Sequence, residues 1–533
     1  MITAAAALIM CGTASQAQQV KIGKSNIKLE QDTMTPEALW AMGRIGTVTA
    51  SPDGKKVVYQ VGYYSVKENK GHQMLYVMDA NGKNVKQLTT TDKSETDPAW
   101  IDDNNIAFIS DGQIWKTTVD GENRTKLTSD KTDIEGFKFS PDGKKVVIIK
   151  SLPYYGSIKK NLSDLPKATG RLITDMNYRH WDHYVESIPH PFVASVAADG
   201  TIDTGVDILK DEPFECPMAP FGGIEQIDWS KDSKFVAYTC RKKEGVKYAI
   251  STDADIYLYN IETKQTKNLC KDDADKGLLS EWAEADSTID ATKSMRNQAI
   301  DSEKFQTLNV GYDVNPKFSP DGNFVAWQSM ARNGYESDLN RLCIYDLKKH
   351  TKSYATTAKN FDTNVDDYCW APDSKSLYLT GVWHATERIW NVSINGGKVR
   401  QITDDSYNDF GSIQMLNGKQ LLATRHSMLH PDDIFIVTPS KKDKAATVTQ
   451  ITDENKQIFD QLASAQVEQR WVKTTDGKQE LVWIILPPHF DATKKYPTLL
   501  YCEGGPQSPV SQFWSYRWNF SIMAAHGYVI VAP

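Results

Sequence analysis

Long apolar runs are what this sequence most lacks. Past the N-terminal stretch, none of its 533 residues belong to a run approaching the roughly 20 apolar residues a membrane helix needs, so the mature chain is expected to be soluble. Charge of one sign is not concentrated either. The 61 basic and 68 acidic residues give a net charge of -7 without long single-sign runs, which argues against a dedicated nucleic-acid surface. Cysteine is sparse, at seven residues with no CxxC pair, so no zinc knuckle or redox motif is encoded. Beyond Cys11, the residues Cys216, Cys240, Cys270, Cys343, Cys369 and Cys502 read as buried free thiols, with disulfides allowed but not indicated. A nucleophile elbow is also missing, because no serine is flanked by glycine at both the minus-two and plus-two positions.

What is present is a repeat. ASPDGKKVVY at Ala50, FSPDGKKVVII at Phe139, WSKDSKFVAY at Trp229, FSPDGNFVAW at Phe318 and WAPDSKSLYL at Trp370 share one grammar, and WIDDNNIAFI at Trp100 and QMLNGKQLLA at Gln414 fit its frame. In each copy an apolar residue ends one strand, a Pro-Asp-Gly or Asp-Ser turn follows, and an alternating run begins the next strand. A further alternating strand comes after it, as in MLYVMD or RLCIYDL, and several units close on a Leu-Thr or Ile-Thr pair (Leu88-Thr89, Leu127-Thr128, Ile402-Thr403, Ile451-Thr452). Four strands per 40 to 50 residues is about the period of a propeller blade. Residues 35–455 therefore read as a seven-bladed β-propeller. Two long gaps leave eight or nine blades open, but both hold sequence unlike the repeat and are read as insertions: 151–226, with YRHWDHY and FECPMAPFGG, and 272–304, an acidic loop with a short helix.

After Thr452 the grammar changes. EQRWVKTTDGKQELVWIILPPHF reads as a hairpin, KKYPTLLYCEGGPQSP as a buried strand running into a Gly-rich turn, QFWSYRWNFSIMAAHG as a helix and HGYVIVAP as a further buried strand. Strand, Gly-rich turn, helix, strand opens an α/β unit, here residues 456–533. At the other end, MITAAAALIMCGTASQAQQ carries a short apolar run and a small-residue site before Gln18, which resembles a secretory signal over residues 1–17. Export to the periplasm is the expected location.

SPDG-type blades followed by KKYPTLLYCEGGPQSP and HGYVIVAP resemble the prolyl oligopeptidase family of serine peptidases. YRHWDHY, PFECPMAPFGGIEQ and EGGPQSPVSQFWSYRWNF look most like its bacterial dipeptidyl peptidase V branch. The resemblance implies an exopeptidase that releases dipeptides from peptide N-termini, without a cofactor, acting on short peptides admitted to an interdomain cavity. It also implies dimerisation through the hydrolase domain. The family places Ser, Asp and His beyond the strand that HGYVIVAP represents, so the triad is expected beyond Pro533. The chain is then expected to be a fragment without catalytic residues, inactive as written. The alternative from another class is a periplasmic TolB-like propeller that binds protein partners; the α/β segment speaks against it. A third reading, a shortened pseudo-enzyme, conflicts with an α/β unit left open.

The resemblance also points to candidate residues. The loop Glu503, Gly504, Gly505 matches the oxyanion loop, where backbone N–H groups would act, since an ionised Glu503 cannot donate. A substrate ammonium calls for a carboxylate in a partly desolvated pocket, and the insertions offer Asp182, Glu186, Glu215 and Glu225, with Arg179 for a substrate carbonyl. The bland reading of each acid is a solvated or salt-bridged surface group. His180 and His183 lack a third ligand at metal spacing, so packing is the better account. Trp514, Tyr516 and Trp518 read as packing at the core or between domains.

Overall fold

The computed structural model describes residues 21–154, 164–165, 167–170, 185–272, 275–287, 308–334, 336–440, 444–504 and 508–533. Seven four-stranded antiparallel sheets follow one another along the described chain, spanning 44–87, 96–126, 134–207, 227–268, 313–354, 368–401 and 409–450, and each is a meander whose strands pair in chain order. First strands meet between the first and second, fourth and fifth, and sixth and seventh sheets, and that of the first sheet meets that of the seventh, so the ring is closed. A buried apolar cluster fills each of the seven interfaces. Val58, Leu75 and Phe108 join the first sheet to the second, for example, and Val57, Tyr59 and Met78 meet Leu422 and Ile434 of the seventh.

The repeated phrase is explained by what its residues bond. In the SPDG-type turns the serine hydroxyl donates to the aspartate two residues on (Ser51–Asp53 2.7 Å, Ser140–Asp142 2.6 Å, Ser319–Asp321 2.6 Å) and accepts the backbone N–H that starts the second strand. The glycine position has positive φ, +67° at Gly54 and +74° at Gly322, where an L side chain is strained. Ser233 and Ser374 occupy that position in the Asp-Ser variants with φ of +60° and +57°, and their hydroxyls accept the N–H groups of Asp142 and Asp321 in the preceding sheets. Tryptophans ending first strands also link sheets. The indole N–H of Trp100, Trp229 and Trp370 donates to the carbonyl of Thr49, Lys138 and Lys317.

Two parts of the sequence reading need correction here. The stretch 151–226 is not all insertion. It holds the third and fourth strands of the third sheet, Ser187–Ser195 and Val206–Asp207, disguised by Pro189 and Pro191. Both prolines point their carbonyls outward, to Cys216 N and Ile208 N, so their missing N–H groups fall on the side where the outer strand is only two residues long. The helix expected over QFWSYRWNFSIMAAHG is restricted to Phe520–Ala525, capped by Asn519, whose side chain accepts from Ile522 N. Upstream, Trp514 and Tyr516 are committed to packing with Leu39, Met42 and Ile458 where the α/β segment meets the ring.

That segment is a mixed sheet. Gln466–Lys473 and Gln479–Leu486 form a hairpin, Val529–Ala532 runs antiparallel to the second of these, and Thr498–Leu500 pairs with it in parallel. The parallel pair is connected through the Gly-rich loop and the helix, as a strand–helix–strand crossover requires. Of the two strands expected to be buried, Val529–Ala532 is central: Ile530 and Ala532 are fully buried with Trp483 and Phe520, and the exposed Pro533 follows directly. Thr498–Leu500 departs from expectation, since it stands at the edge of the described sheet and is exposed throughout.

Candidate functional site

Because each sheet is an antiparallel meander, its turns alternate between the two faces of the ring. The SPDG-type turns and the third-to-fourth-strand turns share one face. The second-to-third-strand turns and the connections to the next sheet share the other. The α/β segment sits on this second face. Gln469 Nε2 donates to His384 O (3.2 Å) in the sixth sheet's second-to-third turn, the Tyr407 ring meets Trp483 at 4.8 Å, and the Gln512 side chain accepts from Met428 N. All the long connections leave from the same face: 154–186, 208–226 and 269–312. The described ends of these connections thus lie on the face that carries the α/β segment.

On that face, between the fourth and fifth sheets, is an open cavity of about 710 Å³, lined by Phe221, Glu225, Arg241, Tyr312 and Glu336 among others. Its wall is the connection 214–226, which includes cis peptide bonds before Pro217 and Pro220. Phe221 is 85% exposed at the rim. Glu225, in a short 3₁₀ turn, is held by a hydrogen bond from Gly223 N to Oε1 (2.7 Å). Arg241 donates to Ser251 O (2.9 Å) and lies 4.1 Å from the Tyr248 ring centroid. Burial raises the Tyr312 pKa, with the Arg241 guanidinium opposing and the Glu336 carboxylate adding to it. A fixed carboxylate, a fixed guanidinium and an aromatic rim can hold a small polar ligand at two points.

Glu225 thus lines the cavity. Glu215 does not: it belongs to the same connection but is fully buried and outside the lining. Glu186 is exposed at the end of the 154–186 connection, its carbonyl accepting from Tyr154 N. Arg179, Asp182, His180 and His183 lie outside the described residues. Glu503 is exposed, and a methyl group added at Gly504 would meet nothing within 4 Å, while Gly505 is outside the described residues. The Ser, Asp and His expected beyond Pro533 concern positions that are not part of this sequence. The residues that sequence reasoning missed are Arg241, Tyr312 and Glu336. The signal for Arg241 was the basic run RKKEG after YTC, on a second-to-third-strand connection; nothing local pointed to the other two.

A second group of ionisable residues lies at the same face of the sixth and seventh sheets. Burial and the neighbouring Asp366 and Asp409 push the Glu387 carboxyl up to about 8. Asp366, reached by water yet surrounded by protein, is pushed up to about 7 by desolvation and by Asp367 and Asp409. Burial alone would lower His426, but bonds to Asp409 and Asp432 outweigh it and raise its pKa to about 10. Among the described residues, one trio has metal-ligand types close together, the buried Asp255, Cys270 and Asp313. Lys271 Nζ already lies 2.8 Å from Asp255 Oδ1, so a side chain supplies the positive charge there.

Comparison with known proteins matches residues 23–180 to the model of the TolB beta propeller domain. Dipeptidyl-peptidase 5 of Porphyromonas gingivalis is 42% identical over 505 residues, covering 94% of this chain and 67% of that protein. The chain belongs to the dipeptidyl-peptidase 5 family. The enzyme of the same name from Porphyromonas endodontalis is 38% identical, over 95% of this chain and 67% of its own length. Pyrococcus horikoshii acylaminoacyl peptidase, at 14% identity, shares the fold with a TM-score of 0.66 over 94% of this chain and 66% of that one. Family membership agrees with the resemblance to prolyl oligopeptidases of the bacterial dipeptidyl peptidase V type. The chain spans about two thirds of the length of these relatives, and the matched part of this sequence ends at or before Pro533.

Proposed function

We propose that this chain is the seven-bladed, substrate-selecting propeller (35–455) and the opening of the α/β-hydrolase domain (456–533) of an exported, periplasmic serine peptidase that removes dipeptides from the N-termini of short peptides. The observation that carries this reading is the cavity at Glu225 and Arg241, on the face of the ring that holds the Gly-rich loop. In this reading the Glu225 carboxylate, fixed through one oxygen by Gly223 N–H, takes the peptide ammonium, and Arg241 takes the first carbonyl oxygen. Glu215, on the same connection and fully buried, holds that wall in place rather than touching the substrate. Asp182 and Arg179, outside the described residues, are proposed as further substrate-binding groups. Gly504, whose φ is not in the left-handed region, is not required by a tight turn. The space around Gly504, where an added methyl group would meet nothing within 4 Å, suits close approach of a substrate oxygen to the backbone. Partners are short peptides and, through the hydrolase domain, a second copy of the chain.

The test is calorimetric titration of this chain with Ala-Phe amide and with its N-acetyl form. The free amine is expected to bind at least about tenfold more tightly, roughly 1.4 kcal/mol, and Glu225→Gln is expected to remove that preference. Equal binding of the two ligands to the unaltered chain would sink the proposal.

A further inference from the structure

Arg44 opens the first strand of the first sheet, Arg44–Ala50, on the face that carries the α/β segment. Three aromatic rings hold its guanidinium. The carbon lies 3.8 Å from the Tyr516 centroid, 4.2 Å from Tyr64 and 5.0 Å from Trp40. Tyr516 comes from the α/β segment, so the cage is built by both parts of the chain. Rings attract the cation through their faces but give its in-plane N–H groups no acceptor. Among the described residues none is supplied otherwise: Nε is buried without a partner, and no carboxylate pairs with Arg44. The acid whose field reaches the same place, Asp432, also acts on Tyr516, but its carboxylate is bonded to His426 Nδ1 at 2.9 Å. Arg241 and Arg341 also lie over tyrosine rings, yet each donates to a backbone carbonyl, Ser251 O and Ser329 O.

A guanidinium fixed in place with its donors unspent is prepared for an oxyanion, and its planar fork matches a carboxylate at two points. In a ring of seven sheets the interface between the fourth and fifth stands opposite the first. The Glu225 cavity and Arg44 therefore belong to opposite sides of the ring on the same face. We infer that Arg44 binds the C-terminal carboxylate of a short peptide and so selects substrates by length. The identity of the ligand as a peptide rests on the proposed function. The anion-binding role of Arg44 does not.

The experiment compares N-acetyl-Ala-Ala-Ala as free acid and as C-terminal amide, titrated calorimetrically into this chain. Both lack the ammonium, so failure of the Glu225 reading leaves this result untouched. The acid is expected to bind at least about tenfold more tightly than the amide. Arg44→Gln is expected to abolish that preference, and Arg44→Lys, which keeps a cation over the rings and guards against a folding defect, to retain part of it. Inorganic phosphate provides the third arm and is expected to compete with the acid. Equal binding of acid and amide, phosphate binding without preference for the acid, or a preference that survives in Arg44→Gln with an unchanged melting midpoint would each overturn the inference.

Discussion

Thr128 illustrates how single side chains hold each sheet together. Its hydroxyl accepts from Ile114 N (2.9 Å) and donates to Gln113 Oε1 (2.9 Å). Thr89, Thr356, Thr403 and Thr452 likewise accept from the third strands of their sheets, at Leu75, Leu342, Ile389 and Ile434. The apolar partner before each threonine is buried in the interface, which is why a Leu-Thr or Ile-Thr pair recurs. Replacing Thr128 by Val keeps the volume but orphans a buried N–H, so it is expected to cost about 1 to 3 kcal/mol in urea unfolding. Ser233 poses the opposite balance. Ser233→Gly loses the acceptor for Asp142 N but relieves the positive φ, whereas Ser233→Ala loses the acceptor and keeps the strain. The alanine variant is expected to be the less stable by about 1 kcal/mol in the same assay.

Gln414 shows what elements need from one another. Its amide accepts from Ala50 N (3.1 Å) and donates to Val48 O (2.8 Å), joining the first strands of the seventh and first sheets. No described sheet mixes strands from the two ends of the ring, so closure depends on such side chains, together with the paired bonds of the Asn455 amide to Gly43 N and O at 2.8 Å each. Gln414→Ala is expected to lower the melting midpoint by a few degrees and to speed hydrogen exchange in Arg44–Ala50 more than in Ile227–Trp229; uniform protection would contradict a closure role. The elements themselves were legible where the turn grammar is local, including the degenerate copies at Trp100 and Gln414. They were illegible where the ladder tolerates what an isolated strand would not, as at Pro189 and Pro191.

At the scale of the whole molecule, the face that receives the α/β segment also gathers Asp366, Glu387 and Asp409. Glu387 and Asp366 have pKa values raised to about 8 and about 7, so the folded state keeps protons that the unfolded chain releases near pH 4. The folded form then binds more protons between about pH 4 and 8, and stability falls as pH rises through that window. The melting midpoint is expected to be lower at pH 8.5 than at pH 5.5, and Glu387→Gln to raise the pH 8.5 value by about 2 °C. A variant whose pH slope equals that of the unaltered chain would show that the cluster does not titrate with folding.

The sequence by itself determined the repeat, the turn chemistry, the boundary between propeller and α/β grammar, and the family, because each rests on residues a few positions apart. It also supplied Glu225 as a candidate. Only the tertiary structure decided that Glu215 is buried and does not line the cavity, that Arg241, Tyr312 and Glu336 share that cavity, and that Arg44 is caged by a tyrosine more than four hundred residues away. These are meetings between different sheets and between the ring and its neighbour. The distance along the chain says nothing of them until the meander sends alternate turns to opposite faces and the ring closes.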